Sequence, residues 1–337
     1  MFTTPTFWSH KGIISTALVP LSWVWRGLGW LRHRIARQQA AELPVICVGN
    51  LTAGGTGKTP IVGLIYDQLS VRGLRPAILS RGYGGNHAGP LWVDPTVHDS
   101  AVCGDEPLML ARGRQVLIGR DRVMGAQAIA AHGSHDVIIM DDGMQNPFLE
   151  KDIVIGVFDG AVGIGNGRVI PAGPLRLGVQ QGVSQLDLAI INGVDEVDIA
   201  RHLSGHMPVF TGNLQPDATT IDRLADTPII AFAGIGRPKR FFATLRKSGA
   251  NIVQSHAFAD HHPYSQADLT ALQADATRLA AQLITTEKDW MRLPVAWRDQ
   301  ITYLPVTMEI AQISEVIDQL LTGCGLVPPA TDNVTDQ

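Results

Sequence analysis

The stretch Val45-Ile46-Cys47-Val48-Gly49-Asn50-Leu51-Thr52-Ala53-Gly54-Gly55-Thr56-Gly57-Lys58-Thr59 most constrains what this chain can become. A short apolar, β-branched run leads into a glycine-rich turn that closes on Gly-Lys-Thr, the sequence form of a strand, a phosphate-binding loop and a helix start. Backbone N–H groups that converge on phosphate oxygens leave no room for Cβ atoms where the chain curls, hence Gly54, Gly55 and Gly57. Lys58 supplies a point charge for the β- and γ-phosphates, the Thr59 hydroxyl suits a magnesium ion, and the helix that follows offers its positive end to an anion. Pro60 fits a first helical turn, where an N–H has no intrahelical partner. The strict pattern G-x-x-x-x-G-K-S/T requires glycine at position 52, where this chain has Thr52. An ordinary glycine-rich turn is the competing reading, and Gly-Lys-Thr directly after Gly54-Gly55 argues against it.

A chain of 337 residues with 45% hydrophobic and 17% charged residues has material for one large or two medium domains. A net charge of −4 argues against a general nucleic-acid binder. The three cysteines, Cys47, Cys103 and Cys324, are odd in number and lack CxxC spacing, so neither a disulfide framework nor a zinc site is expected.

The N-terminal segment is unusual. Gly12 to Trp25 carries no charge and is mostly apolar; Trp8, Trp23, Trp25 and Trp30 lie in or beside it, and Arg26, Arg32, Arg34 and Arg37 follow. The run is shorter than the ~20 residues of a spanning helix. Tryptophan with flanking arginine suits a helix lying in the headgroup layer of an anionic leaflet. A buried core helix and a signal peptide are the alternatives; Pro20 and the trailing arginines weaken the second.

From Pro44 the chain alternates strand and helix, with strands expected at Val45–Gly49, Ala77–Ser80, Val116–Gly119, Val137–Met140, Ile153–Phe158 and Leu186–Asn192. A second alternating unit is expected from Ile229, with a last strand near Ile301–Val306 and a helix at Ile313–Leu321. Acidic pairs stand at two element ends. Asp141-Asp142 follows an apolar strand downstream of the phosphate loop, where a second magnesium contact belongs. Asp105-Glu106 opens a helix expected at Leu108–Arg112, where N-capping is the plainer reading. Gly234-Ile235-Gly236 lacks the third glycine of a dinucleotide fingerprint. His261-His262 has no third ligand at metal spacing, so a histidine tuning a carboxylate is the more economical reading.

Together these motifs resemble the tetraacyldisaccharide 4'-kinases of lipid A biosynthesis in Gram-negative bacteria. The residues that carry the resemblance are Val48 to Thr52 with Gly54 to Pro60, Ser80-Arg81-Gly82-Tyr83-Gly84, Gly104-Asp105-Glu106-Pro107, Asp141-Asp142-Gly143 with Gln145, Pro171 to Arg176, Ala233 to Gly236, Asp260-His261-His262 and Thr286-Glu287-Lys288-Asp289. It spans roughly residues 5 to 322 and makes Thr52 normal for the loop. It implies an α/β fold with a P-loop NTPase-like, mostly parallel sheet flanked by helices, a smaller second α/β lobe and an N-terminal membrane-associated helix. The expected units are 1–40 (membrane-associated helical segment), 41–215 (P-loop kinase domain), 216–326 (second lobe) and 327–337 (tail).

The resemblance further implies transfer of the γ-phosphoryl of ATP, with Mg2+, to the 4'-hydroxyl of tetraacyldisaccharide 1-phosphate, giving lipid IVA. The acceptor is a membrane-embedded glycolipid, so the expected location is the cytoplasmic face of the inner membrane, peripheral or monotopic, with no nucleic acid and no obligate protein partner. By the same resemblance Asp105 is the catalytic base, His261 its partner, and Lys58 neutralises the transferring phosphates. Thr52, Ala53, Gly54, Gly55, Thr56, Gly57, Lys58 and Thr59 hold the nucleotide. Thr59 with Asp142 holds the metal, Asp141 and Glu106 being further candidates, and Arg81, Arg122, Gln145 and Arg176 face the acceptor or the transferring phosphate. Two positions depart from the family pattern. Asn146 stands where the family often has histidine, which weakens any positive charge at that point, and Leu177 stands where an acidic residue commonly follows Leu-Arg. A P-loop switch or transport-coupled NTPase is the runner-up from another class, with Asp105 as an N-cap and the N-terminal helix as a docking element.

Overall fold

The computed structural model describes residues 5–328. Beyond Pro328 the polar tail expected from Val327 lies outside the described residues, as do residues 1–4. Among the described residues thirteen strands form in chain order: β1 Val45–Gly49, β2 Pro76–Ser80, β3 Leu91–Trp92, β4 Val116–Ile118, β5 Val137–Asp141, β6 Ile153–Asp159, β7 Leu188–Asn192, β8 Val209–Pro216, β9 Ile229–Ala233, β10 Ile252–Ala257, β11 Gln282–Thr286, β12 Thr302–Leu304 and β13 Val306–Ile310. Nine of them make one sheet in the order β13-β8-β7-β6-β1-β5-β2-β4-β3, and four make a second in the order β10-β9-β11-β12. The large sheet is parallel except at its rims, where β13 on β8 and β3 on β4 are antiparallel.

The central strands are buried on both faces, as their unbroken apolar runs require. Successive side chains alternate between faces. Ile46 and Val48 of β1 join a core with Ile61, Ile65 and Leu69 of the helix Lys58–Val71. Val45 and Cys47 join the opposite core with Ala126 and Ile129 of the helix Arg122–Ala131. The second sheet is likewise covered on one face by Phe241, Phe242 and Leu245 and on the other by Leu269 and Leu272.

Two readings of the sequence are corrected. The single strand expected at Ile301–Val306 is two strands in different sheets, β12 and β13, separated only by Pro305. The chain therefore returns to the large sheet, and residues 306–323 do not belong to the second lobe as the 216–326 boundary had it. Val316, Ile317, Leu320 and Leu321 of the closing helix Ile313–Gly323 join the same core as Ile46 and Val48 of β1. The reason is long-range pairing: β13 finds β8, some ninety residues away, through the register Val306↔Pro216 to Ile310↔Gly212, which no local pattern encodes. The helix expected at Leu108–Arg112 starts earlier and stops sooner, at Asp105–Leu110.

The N-terminal segment folds as two short helices, Ile13–Ala17 and Val19–Ile35, and the core-helix alternative fails. Of the second helix only Ser22 is buried, while Leu21, Trp23, Val24, Leu28, Trp30 and Ile35 are each at least half exposed. Polar groups hold it down. Ser15 Oγ donates to Ala172 O at 2.8 Å, Ser22 Oγ to Val169 O at 2.7 Å, and Trp8 Nε1 to Pro171 O at 3.0 Å. No helix among the described residues is long and apolar enough to cross a membrane.

The assignment of the C-terminal helix to the nucleotide-side core makes a measurable claim. Leu320→Ala removes a fully buried side chain from that core and is expected to cost about 2–5 kcal/mol of unfolding free energy. Urea denaturation followed by tryptophan fluorescence checks this, and an unchanged midpoint would contradict the assignment.

Candidate active site

A cleft of ≈ 1740 Å3 runs between the two sheets' carboxyl ends, large enough for a nucleoside triphosphate and part of a second ligand. Its floor is the loop from Thr52 to Thr59. Gly57 sits at φ +87° and caps the helix Lys58–Val71 with no side chain over the first N–H groups, the arrangement that receives an anion. A Cβ on Gly57 would lie 2.2 Å from Asn192 Nδ2. That amide donates to Thr56 O at 3.0 Å and pins the loop from the end of β7. On the other side the loop pairs with the segment Pro171–Arg176, through Ala53 N to Pro174 O and Arg176 N to Leu51 O, both 2.8 Å. The segment Pro171–Arg176 is thus a brace for the phosphate loop.

Beside the floor, β5 ends in Asp141 and Asp142. Asp142 has φ +48°, a left-handed conformation uncommon outside glycine, and its N–H is held by Val48 O at 2.9 Å. Lys58 Nζ lies 3.5 Å from Asp142 Oδ1, and Arg176 Nη2 lies 3.5 Å from Asp142 Oδ2. Burial pushes the Asp142 carboxyl up, but Lys58 and Arg176 outweigh it and hold the group below its usual range. Asp141 lacks such partners; burial first, then Glu106 and Asp142, push its carboxyl up to about 7. Oδ1 of each aspartate is buried and lacks a hydrogen-bond partner. Two orphaned carboxylate oxygens beside a Thr59 hydroxyl that lines the same cleft fit Mg2+, which takes one or two carboxylates and fills its remaining sites with phosphate and water. No group of three or more acidic, histidine or cysteine side chains suited to a metal occurs among the described residues. Glu106 has another partner: Lys288 Nζ sits 2.7 Å from Glu106 Oε1.

The wall opposite the floor comes from both lobes. Helix Asp105–Leu110 of the first faces helix Glu287–Arg292 of the second. Met291 buries itself among Cys103, Leu108 and Ile118, and Arg112 pairs with Glu287 at 3.2 Å. Gly104, at φ +89°, lets the start of this helix press against the Arg81–Gly84 loop, since a Cβ there would lie 2.2 Å from Tyr83 O. Across this seam His261 Nδ1 lies 3.1 Å from Asp105 Oδ2. His261, Glu106 and Lys288 line the cleft. Asp105 is 4% exposed and in contact with His261. Burial raises the Asp105 carboxyl, but His261, Lys288 and Arg292 together hold it below the usual carboxylate range. His261 sits at φ +57° with its N–H bonded to Gly234 O at 2.9 Å, and the Tyr83 ring meets it edge-on at 5.8 Å. A second clamp between the lobes joins Arg237 and Arg240 to the buried Asp159, at 2.8 and 2.9 Å.

The remaining residues singled out in the sequence fall into place unevenly. Arg81 is exposed at the cleft. Gln145 Nε2 donates to Asn50 O at 2.9 Å, and its Oε1 accepts from Arg176 Nη1 at 2.8 Å, so these two form one unit. Arg122 lines the cleft but is largely buried, and its guanidinium donates to Gly119 O and Asp141 O, which holds the end of β5. Asn146 Oδ1 accepts from Phe148 N and Leu149 N, so the asparagine shapes a turn, and Leu177 is buried. The sequence reading missed Asn192, Asp159, Arg237, Arg240 and Arg292. Only Thr286-Glu287-Lys288-Asp289, noted as a motif without a role, pointed towards the last.

A family model described as Tetraacyldisaccharide-1-P 4'-kinase matches residues 14–323. A tetraacyldisaccharide 4'-kinase of Rhodospirillum rubrum is 42% identical over 328 residues, covering 95% of this chain and 98% of that protein. One of Methylobacterium sp. (strain 4-46) is 48% identical over 283 residues, covering 83% and 84%. Among solved structures, LpxK from Aquifex aeolicus in complex with ATP superimposes with a TM-score of 0.77 at 24% identity, covering 93% of this chain and 100% of that one; at that identity the likeness speaks for the fold.

The loop geometry predicts the behaviour of Gly57→Ala. Left-handed strain of about 1–2 kcal/mol adds to the overlap with Asn192, so nucleotide affinity is expected to fall at least roughly tenfold. Titration with a fluorescent ATP analogue measures it, and wild-type affinity would contradict the loop assignment.

Proposed function

The chain belongs to the tetraacyldisaccharide 4'-kinase family, and from that premise we propose how its own residues carry the family's reaction. The chain is a kinase of lipid A biosynthesis: ATP is the donor and a tetraacyldisaccharide 1-phosphate the acceptor, phosphorylated on its 4'-hydroxyl. The Asp105–His261 contact across the seam, beside the cleft that also holds Lys58 and Asp142, is the observation that carries the assignment of roles.

Thr52 to Thr59 cradle the triphosphate, with Lys58 against the β- and γ-phosphates. The 4'-oxygen attacks the γ-phosphorus as the bond to the β–γ bridging oxygen breaks, and ADP leaves. The hydroxyl proton passes to Asp105, which His261 orients. In a loose phosphoryl transfer that proton departs late, so an ionised carboxylate is a sufficient base. Thr59, Asp142 and Asp141 would hold Mg2+, which neutralises charge on the phosphates. Glu106 stands apart from that set because Lys288 compensates it. Arg81 and the paired Gln145–Arg176 offer forked donors to the acceptor or the transferring phosphoryl group.

The outward tryptophans and arginines of Val19–Ile35 support peripheral docking on the cytoplasmic face of the inner membrane. The helix sits on the brace Pro171–Arg176, and Trp25 Nε1 donates to Arg176 O at 3.3 Å. Docking therefore lays the lipid surface beside a cleft residue that faces the acceptor.

Two measurements test this reading. Asp105→Ala is expected to bind ATP as the wild type does while losing transfer by roughly 100-fold or more, the scale of a general base. Mass spectrometry of the lipid product, which gains one phosphate in the wild type, follows it. Full transfer by the variant would remove Asp105 from the role. Replacing Trp23, Trp25 and Trp30 together by Ser is expected to abolish flotation with anionic vesicles without lowering the melting temperature; retained flotation would sink the docking face.

A further inference from the structure

Arg292 ends the helix Glu287–Arg292, and its side chain is 9% exposed. Its guanidinium is committed to the second lobe. Nη2 donates to Asp289 Oδ1 at 2.7 Å and to Gly234 O at 3.0 Å, and Nη1 donates to His262 O at 3.3 Å. Asp289 is fully buried and is fixed in turn by Tyr264 Oη at 2.8 Å, Gly234 N at 3.0 Å and Thr286 Oγ1 at 2.6 Å. The remaining edge of the fork donates through Nε to Lys288 O at 3.4 Å and faces the other lobe. Arg292 Nε lies 3.3 Å from Asp105 Oδ2, the same oxygen that His261 Nδ1 approaches at 3.1 Å. Gly234 O accepts from both His261 N and Arg292 Nη2, so a single carbonyl sets the relative placement of the two groups that bracket Asp105.

We propose that Arg292 is a positioning residue for the phosphoryl transfer, carrying the orientation of the Asp289–Tyr264–Gly234 hub across the seam to the carboxylate of Asp105. This rests on the reading of Asp105 as the base. A lysine at 292 keeps the charge but has no fork, so it cannot span Asp289, Gly234 and Asp105 together. An arginine that merely stiffened the second lobe would alter stability or substrate affinity. One that orients Asp105 acts on kcat through Asp105 and on little else.

A double-mutant cycle separates these. The full-length wild type, Arg292→Gln, Arg292→Lys, Asp105→Ala and Asp105→Ala/Arg292→Gln are assayed for kcat and for KM of ATP and of the tetraacyl acceptor, with melting temperatures alongside. Arg292→Gln is expected to lower kcat roughly 10- to 100-fold, the scale of a small misplacement of a reacting group, with both KM values within about threefold. Arg292→Lys is expected to recover only part of the loss. In the Asp105→Ala background Arg292→Gln should lower the residual kcat by less than about twofold, because the two residues act as a unit. A multiplicative loss in that background, a loss confined to KM, or a wild-type kcat in Arg292→Gln overturns the positioning role and leaves the base assignment standing. A wild-type kcat in Asp105→Ala overturns both. Should Arg292→Gln melt below the assay temperature, the same cycle run with Arg292→Lys decides by the same criteria.

Discussion

The contact between helix Asp105–Leu110 and helix Glu287–Arg292 is the interaction on which the rest of the site depends. A carboxylate as buried as Asp105 is unfavourable without compensation. The first lobe supplies little of it beyond the N–H of Glu106, 3.0 Å from Oδ1. The compensating groups, His261, Lys288 and Arg292, all come from the second lobe. Docking of the lobes therefore favours the ionised form of Asp105. Met291 in its pocket of Cys103, Leu108 and Ile118 supplies the apolar part, and the flanking ion pairs set the register. The chain enters the second lobe after β8 and leaves it at Pro305 before β13, and these strands are antiparallel neighbours. Both crossings are thus tied at one edge of the large sheet, with Asp217 N bonded to Pro305 O at 2.9 Å.

Asp142 and His261 are two of the four non-glycine residues with left-handed φ among the described residues, and both line the cleft. Each is held by a backbone bond to a strand end or the turn after it, Val48 O for one and Gly234 O for the other. Such conformations persist when the surroundings over-determine them, and the parallel strands β1 and β9 provide that rigidity.

The N-terminal helix inverts the usual amphipathic rule, since its apolar side chains point outward and its serines point in. Hydroxyl-to-carbonyl bonds seat the segment on the protein while its apolar side chains stay exposed. Asn166 completes the seat through Nδ2, which lies within hydrogen-bond distance of Phe7 O at 3.1 Å, Ser15 Oγ at 2.9 Å and Ala172 O at 3.0 Å. Because the same segment braces the phosphate loop, the N-terminal helix and the nucleotide floor share one support.

Much of this was legible along the chain. The strand–loop–helix at Val45–Val71, the apolar strands ending in Asp142 and Asn192, and the βα units from Ile229 onward are written in local periodicity and in glycines whose φ values only glycine adopts easily. Residue types alone marked Lys58, Thr59 and the two acidic pairs as candidates, and the charge-free run with its tryptophans marked the N-terminal helix as unusual. The tertiary structure alone decided that β13 returns to the first sheet, that Arg122 bonds backbone carbonyls at the end of β5, that Lys288 pairs with Glu106, and that Arg292 lies against Asp105. Those are contacts between residues as many as 187 positions apart. Local pattern reports which face of an element is apolar, because burial acts on each element separately. Which charges meet depends on how two finished lobes dock, and that is a property of their surfaces together.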